Sequence, residues 1–145
     1  MREEGEILLI EDDPSHAELI LIALKEGHLP SPAHVAQSGE EALEYLFSHD
    51  GRIKLILLDL KLGKLGGLET LGRIRSEERT RYIPVVVLTS SQNERDIEMS
   101  YRLGANSYVV KPVEFEKFIK TVGQVGTYWM LLNQPPISDK KSVER

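Results

Sequence analysis

Carboxylates, a hydroxyl and an ammonium stand where apolar runs stop in this chain. Ile7-Leu8-Leu9-Ile10 runs into Glu11-Asp12-Asp13, and Lys54-Leu55-Ile56-Leu57-Leu58 ends at Asp59. Val85-Val86-Val87-Leu88 runs into Thr89-Ser90-Ser91, and Ser107-Tyr108-Val109-Val110 into Lys111-Pro112. A short unbroken apolar run that ends in a polar residue has the pattern of a strand buried on both faces. If the strands are parallel, all four ends meet on one edge, where open α/β sheets place their ligands. Glu11, Asp12 and Asp59 would bring negative charges together there, which is unfavourable unless a cation joins them. Hard carboxylate oxygens at an open rim suit Mg2+, which keeps several waters and accepts one or two carboxylates plus phosphate oxygens. With Lys111 as the chain's own cation and Thr89 as a hydroxyl donor, the groups make a phosphoryl site. It has a carboxylate nucleophile, a metal to neutralise charge, and two donors to hold phosphoryl oxygens.

The elements that must position these groups alternate along the chain. Asp13-Pro14 reads as an N-cap followed by proline at the first helical position, and Ala17, Ile20, Leu21 and Leu24 recur at helical spacing up to a stop at Gly27. A weaker strand covers residues 34–37, and Ser38-Gly39-Glu40-Glu41 opens a helix through Ala42, Leu43, Leu46 and Phe47, closed by Asp50-Gly51. Gly63, Gly66 and Gly67 make a loop before a helix over about 68–78, with Leu68, Leu71 and Ile74 on one face. Residues 92–103 form the next helix, Gly104-Ala105-Asn106 turns the chain, and a last helix begins near Glu114. Strands alternating with helices across short loops predict a doubly wound α/β domain with a parallel sheet, and right-handed crossovers put helices on both faces.

A chain of 145 residues is one domain by length and can bury roughly 68–70% of its unfolded surface. The domain is expected over residues 1–132, with 133–145 a polar, disordered tail after Pro135-Pro136 stops the helix. The net charge of −5 argues against a sequence-independent grip on nucleic acid. The chain has no cysteine, which excludes a disulfide framework and a thiolate metal site. No signal segment opens the chain and no apolar run reaches the ~20 residues of a membrane span. A cytoplasmic protein without nucleic-acid or membrane partners is expected.

The set Glu11-Asp12, Asp59, Thr89, Tyr108 and Lys111-Pro112 resembles the receiver domain of bacterial two-component response regulators, over residues from about 6 to 130. The resemblance implies a flavodoxin-like (βα)5 domain with strand order 2-1-3-4-5. It makes Asp59 the phosphoacceptor, taking a phosphoryl group from a phosphohistidine on a sensor histidine kinase. Glu11 and Asp12 match the acidic pair that holds Mg2+, with Asp12 the direct ligand and the Lys61 backbone carbonyl a further oxygen. Thr89 matches the switch hydroxyl, Lys111 the active-site lysine and Tyr108 the switch aromatic, while Lys111-Pro112 matches a cis peptide bond. Lys61 and Ser91 occupy the positions that modulate hydrolysis of the acyl phosphate, and a Lys61 ammonium paired with the phosphoryl group would shield it from water. Signalling then runs to a downstream protein or a histidine phosphotransfer partner. Gly63 departs from the proline common at its position, which loosens the loop carrying Lys61.

Taken singly, most of these residues have plainer roles: Lys111 as a surface lysine, Thr89 as a strand-end residue, Tyr108 as a half-buried strand aromatic, Asp13 as a cap. Their joint occurrence at strand ends reverses that reading. His16, His28, His34 and His49 show no ligand spacing and read as solvated or packing residues, and Arg73, Arg75, Arg79 and Arg81, interrupted by Glu77 and Glu78, read as a mixed exposed helix face. An aspartate-nucleophile phosphatase of the haloacid dehalogenase type needs a second Asp where Lys61 stands, and a nucleotide-binding flavodoxin-like protein needs a Gly-rich loop after the first strand. A receiver fold that is never phosphorylated is opposed by the complete residue set. At the C-terminal end, Phe115, Phe118, Ile119, Val122, Val125, Trp129 and Leu132 form an apolar stripe interrupted by Gly123 and Gly126. Either its extra turns fold back on their own domain, or a homodimer buries Tyr128-Trp129 across a two-fold axis. This extended end resembles the stand-alone regulators that partner bacterial phytochrome kinases.

Overall fold

Strands that are apolar on both sides along most of their length need cover on both faces, and the fold supplies it. The structure is a computed structural model that describes residues 5–27, 29, 31–49 and 52–135. Five strands, β1 (Glu6–Ile10), β2 (Ala33–Ala36), β3 (Ile53–Leu58), β4 (Val85–Thr89) and β5 (Ser107–Val110), pair in parallel in the order β2-β1-β3-β4-β5. Five α-helices connect and cover them: α1 (Pro14–Glu26), α2 (Gly39–Ser48), α3 (Gly67–Ser76), α4 (Glu94–Arg102) and α5 (Phe115–Thr127), the last running into a π-helical turn, Tyr128–Leu132. This is the doubly wound architecture expected from the alternation, with the flavodoxin-like strand order that the resemblance implies. Among the described residues no helix is long and apolar enough to cross a membrane. His28, Asp50-Gly51 and the tail beyond Pro135 lie outside the described residues.

Alternation along each strand sorts the core into two halves. Leu8, Ile10, Ile56, Leu58 and Val85 pack with Ala42, Leu43 and Leu46 of α2 and Leu71 and Ile74 of α3. Ile7, Leu9, Leu55, Leu57, Val86 and Leu88 pack with Ala17, Ile20, Ala23 and Leu24 of α1 and Phe118 and Val122 of α5. Each fully buried aliphatic contributes roughly 1.5–3 kcal/mol, and a one-residue slip would turn a whole strand over, so the register is held firmly. The pairing of β1 with β3 shifts once, between Glu6 and Ile7, leaving Lys54 as the extra residue before Ile7 meets Leu55.

The caps follow from local chemistry. Asp13 Oδ1 accepts from Ser15 N at 2.9 Å and His16 N at 3.4 Å, with Pro14 at the first helical position. Ser38 Oγ accepts from Glu41 N at 3.0 Å, and Glu41 Oε1 accepts in return from Gln37 N at 3.0 Å. Asn93 Oδ1 caps α4 through Arg95 N at 2.8 Å, which starts that helix at Glu94 rather than at 92.

Three expectations need correction. Helix α3 ends at Ser76 because Glu77 is extended (φ −97°, ψ 131°), so Arg79 and Arg81 do not share its face. Arg75 is no solvated charge either: it donates to the carbonyls of Gly104 (2.9 Å), Arg81 (3.0 Å) and Ile83 (2.8 Å) and to Asn106 Oδ1 (2.9 Å), tying α3 to the turn before β5. Gly123 and Gly126 do not interrupt α5. They let it approach α1, where a Cβ on Gly126 would lie 2.8 Å from Leu24 Cδ2, and 2.7 Å from Leu29 Cδ1 beyond the helix end. Finally, the described residues contain no cis peptide bond, so Lys111-Pro112 is trans. An X-Pro bond favours trans by only about 0.5–1 kcal/mol, which leaves its isomer open to context.

Gly67 opens α3 directly under the loop that carries Asp59. A Cβ there would meet the backbone of Leu60 and lie 2.6 Å from the Asp59 carbonyl oxygen. Backbone cannot swing aside as a side chain does, so Gly67→Ala is expected to lower unfolding stability by about 1–3 kcal/mol. Urea denaturation monitored by Trp129 fluorescence checks this, with the slope m unchanged.

Candidate functional site

Strand register brings the polar ends together in pairs. Ile10 stands opposite Leu58, so Glu11 and Asp59 follow side by side, and the Asp59 N–H donates to Ile10 O at 3.0 Å. Thr89 stands opposite Val110, and the Lys111 N–H donates to Thr89 O at 2.7 Å. Because β3 lies between β1 and β4, the ends converge on one edge.

There the side chains of Glu11, Asp59, Thr89 and Lys111 are all buried. Lys111 Nζ donates to Glu11 Oε1 at 2.7 Å and to Asp59 Oδ2 at 3.1 Å. Removing Lys111 would strand the buried acids without their cation, a loss of several kcal/mol. Asp59 Oδ1 accepts from the Lys61 N–H at 3.0 Å. Burial raises the Asp59 pKa, but the Lys61 N–H and the Lys111 ammonium outweigh it and hold the carboxyl below its ordinary value. Glu11 goes the other way. Burial lifts it from 4.5 to about 7, more than the Lys111 hydrogen bond can offset. Two neighbouring carboxyls are thus driven apart, one held ionised and one poised near neutrality.

Thr89 Oγ1 is buried with no hydrogen-bond partner at bonding geometry, although the hydroxyl lies near enough to Asp59 to help hold its carboxyl down. Lys61 turns its ammonium to Ser90 Oγ at 3.0 Å, on the exposed rim. Ser91 faces α4 instead, donating to Asp96 Oδ2 at 2.6 Å and accepting from the Asn93 N–H at 3.2 Å. Its carbonyl accepts from the Tyr108 hydroxyl at 3.0 Å, which ties β5 to the loop after β4. Burial raises the Tyr108 pKa. Asp12 is exposed.

The groups whose ligand atoms gather within 4.8 Å of one another are Glu11, His16 and Asp59. His16 enters the site because α1 begins immediately after β1, and its Nδ1 lies 2.8 Å from Lys111 Nζ. Linear sequence carried no signal for it, since its partner is 95 residues away. Of the other histidines, His34 and His49 sandwich the Tyr45 ring at centroid distances of 3.8 and 4.0 Å, a packing role. Two buried carboxylates that share one ammonium are a donor set that fits a hard divalent cation.

The chain belongs to the response regulator receiver domain family, whose model matches residues 7–123. It is 40% identical over 134 residues to the "Probable methanogenesis regulatory protein FilR2" of Methanothrix harundinacea, covering 90% of this chain and 86% of that one. Among solved structures, the phosphorylated cyanobacterial phytochrome response regulator RcpA superposes with a TM-score of 0.85 at 35% identity, over 92% of this chain and 99% of that one. The Mn(2+)-bound form of response regulator Rcp1 gives a TM-score of 0.83 at 33% identity, over 91% and 99%. Receiver domains bind a divalent cation at an acidic pocket, and the buried acids here fit that site.

The Glu11 pKa has a consequence for such a cation. Raised above its unfolded value, Glu11 contributes stability that is complete below about pH 4.5 and lost as pH rises through about 7. A cation ligated by Glu11 must displace that proton. Its affinity should therefore be about tenfold weaker near pH 6 than near pH 8, measured by titration calorimetry with Mg2+ or Mn2+, and Glu11→Gln should flatten the dependence.

Proposed function

We propose that this chain is a phosphorylation-switched response regulator with Asp59 as its phosphoacceptor. The observation that carries the reading is a buried, ionised carboxylate with a buried, unpaired hydroxyl beside it. An unsatisfied Thr89 hydroxyl costs about 1–3 kcal/mol, and a phosphoryl oxygen on Asp59 would satisfy it. Asp59 attacks the phosphorus of a phosphohistidine on a sensor histidine kinase. The new O–P bond forms as the N–P bond breaks, and the leaving imidazole takes up a proton. Lys111 and Thr89 then hold the phosphoryl oxygens. Glu11, Asp12, Asp59 and the Lys61 carbonyl would hold a Mg2+, which would supply charge neutralisation for the transfer.

The acyl phosphate carries nearly two negative charges where the carboxylate carried one, and draws Lys111 and Thr89 toward it. That pull acts on the loop after β4, whose Ser91 carbonyl holds the Tyr108 hydroxyl. Tyr108 is thereby the reporter of the switch, presenting the change to protein partners on the surface of α4, β5 and α5. Similarity to RcpA supports a kinase of phytochrome type, and in this reading the switch acts in the cytoplasm. Downstream, the signal passes to a protein or histidine phosphotransfer partner, not to nucleic acid.

Residues 1–132 form the receiver unit in this reading, with self-association at its C-terminal end. Trp129 turns inward and packs against the α1/α5 half of the core, while Tyr128, Leu131 and Leu132 remain 48%, 50% and 68% exposed. The two rings stay in edge-to-face contact at 5.0 Å but differ in exposure, and a homodimer would bury Tyr128 and the two leucines rather than Trp129.

Incubation with Mg2+ and a small acyl-phosphate donor should add one phosphoryl mass to the wild type and none to Asp59→Asn. Size-exclusion chromatography of the same samples should show a dimer that Leu132→Asp disrupts. A protein that gains no mass even from a phosphorylated kinase would make this a pure interaction module. The Lys61 ammonium, at the exposed rim, shields the phosphoryl group from water. Lys61→Ala should accordingly shorten the half-life of the phosphorylated protein several-fold, and an unchanged half-life removes that role.

A further inference from the structure

An ammonium has three N–H donors, and at Lys111 the third goes to a residue that the phosphoryl chemistry has not so far used. Nζ lies 2.7 Å from Glu11 Oε1, 3.1 Å from Asp59 Oδ2 and 2.8 Å from His16 Nδ1. Lys111 has no lone pair to offer, so Nδ1 is the acceptor, and the imidazole is the neutral tautomer with its proton on Nε2. That N–H faces Asp13, with Nε2 3.9 Å from Oδ2, while the other oxygen of Asp13 caps α1. The ring thus lies between the cap of α1 and the ammonium that follows β5, bonded to the ammonium alone.

The three acceptors differ in what phosphorylation does to them. Asp59 Oδ2 loses its share of the carboxylate charge when Asp59 becomes an acyl phosphate, and Glu11 belongs to the acidic pair that a cation engages. His16 is neutral, sits on a separate element, and undergoes neither change. We propose that His16 is a positioning residue for Lys111, keeping the ammonium fixed to α1 while its two charged partners change, so that Lys111 meets the phosphoryl oxygens already oriented. The inference rests on the reading of Asp59 as phosphoacceptor.

Two measurements test it. Long-range 1H–15N spectra of the histidine rings should show His16 with an unprotonated Nδ1 whose shift moves in Lys111→Met. This readout needs no phosphorylation. The second is the phosphorylation rate at saturating Mg2+ and acyl-phosphate donor. In His16→Ala it should fall about tenfold, as misplacing a reacting group does, with Mg2+ affinity changed less than about twofold. Asn places an amide oxygen near the Nδ1 position, so His16→Asn should recover most of the rate, which a purely structural role would not predict. A protonated Nδ1, a His16 signal indifferent to Lys111→Met, an unchanged rate in His16→Ala, or an Asn variant as slow as the Ala variant would each overturn the proposal. A wild type that takes no phosphoryl group, with the spectral contact intact, would overturn the functional reading and the positioning role with it, while leaving the contact itself established.

Discussion

Two carboxylates at the rim of an apolar sheet are tolerated because a third strand brings an ammonium between them. Lys111 is as buried as the acids it neutralises, and its donors are shared among Glu11, Asp59 and His16. The arrangement is balanced unevenly: Asp59 is kept ionised, whereas Glu11 retains its proton up to about pH 7. An acid held ionised beside one that keeps its proton up to about pH 7 gives this small pocket two carboxyls of different character.

Everything that holds this arrangement is backbone geometry set by the core. Parallel pairing makes residues after Ile10 and Leu58 neighbours, and the same pairing sets Lys111 against Thr89. Doubly buried strands resist a slip, because both faces would lose their complementary helices at once. The polar site therefore inherits its precision from Leu, Ile and Val side chains that never touch a ligand. Gly67 shows the same coupling at close range, since the backbone of Asp59 and Leu60 occupies the space of its missing side chain.

Helix α4 is built differently from the others. Ser100 is its one buried residue among those described, and its hydroxyl has no hydrogen-bond partner. A helix with so little apolar burial is tied down at its N-terminal end, through Asn93, Asp96 and Ser91. Ser91 also receives the Tyr108 hydroxyl. A displacement of the loop after β4 would thus reach both the least anchored helix and the aromatic ring on β5, a physical basis for a local charge event to alter a distant surface.

Sequence alone determined the layers, the parallel sheet and the convergence of Glu11, Asp59, Thr89 and Lys111, because apolar runs and helical spacing are local patterns and strand ends are where they stop. Caps such as Asp13-Pro14 were legible for the same reason. Tertiary structure alone decided what depends on contacts between distant residues. Approach of α1 to the β5 end recruits His16, the carbonyls beyond α3 absorb the Arg75 charge, and α1 turns Gly123 and Gly126 from breaks into contacts. It also gave the touching rings of Trp129 and Tyr128 different exposures, one packed on the core and the other left at the surface. Periodicity tells which face of an element is apolar. Which neighbour meets that face, and which polar atoms it brings along, is settled only when the elements pack.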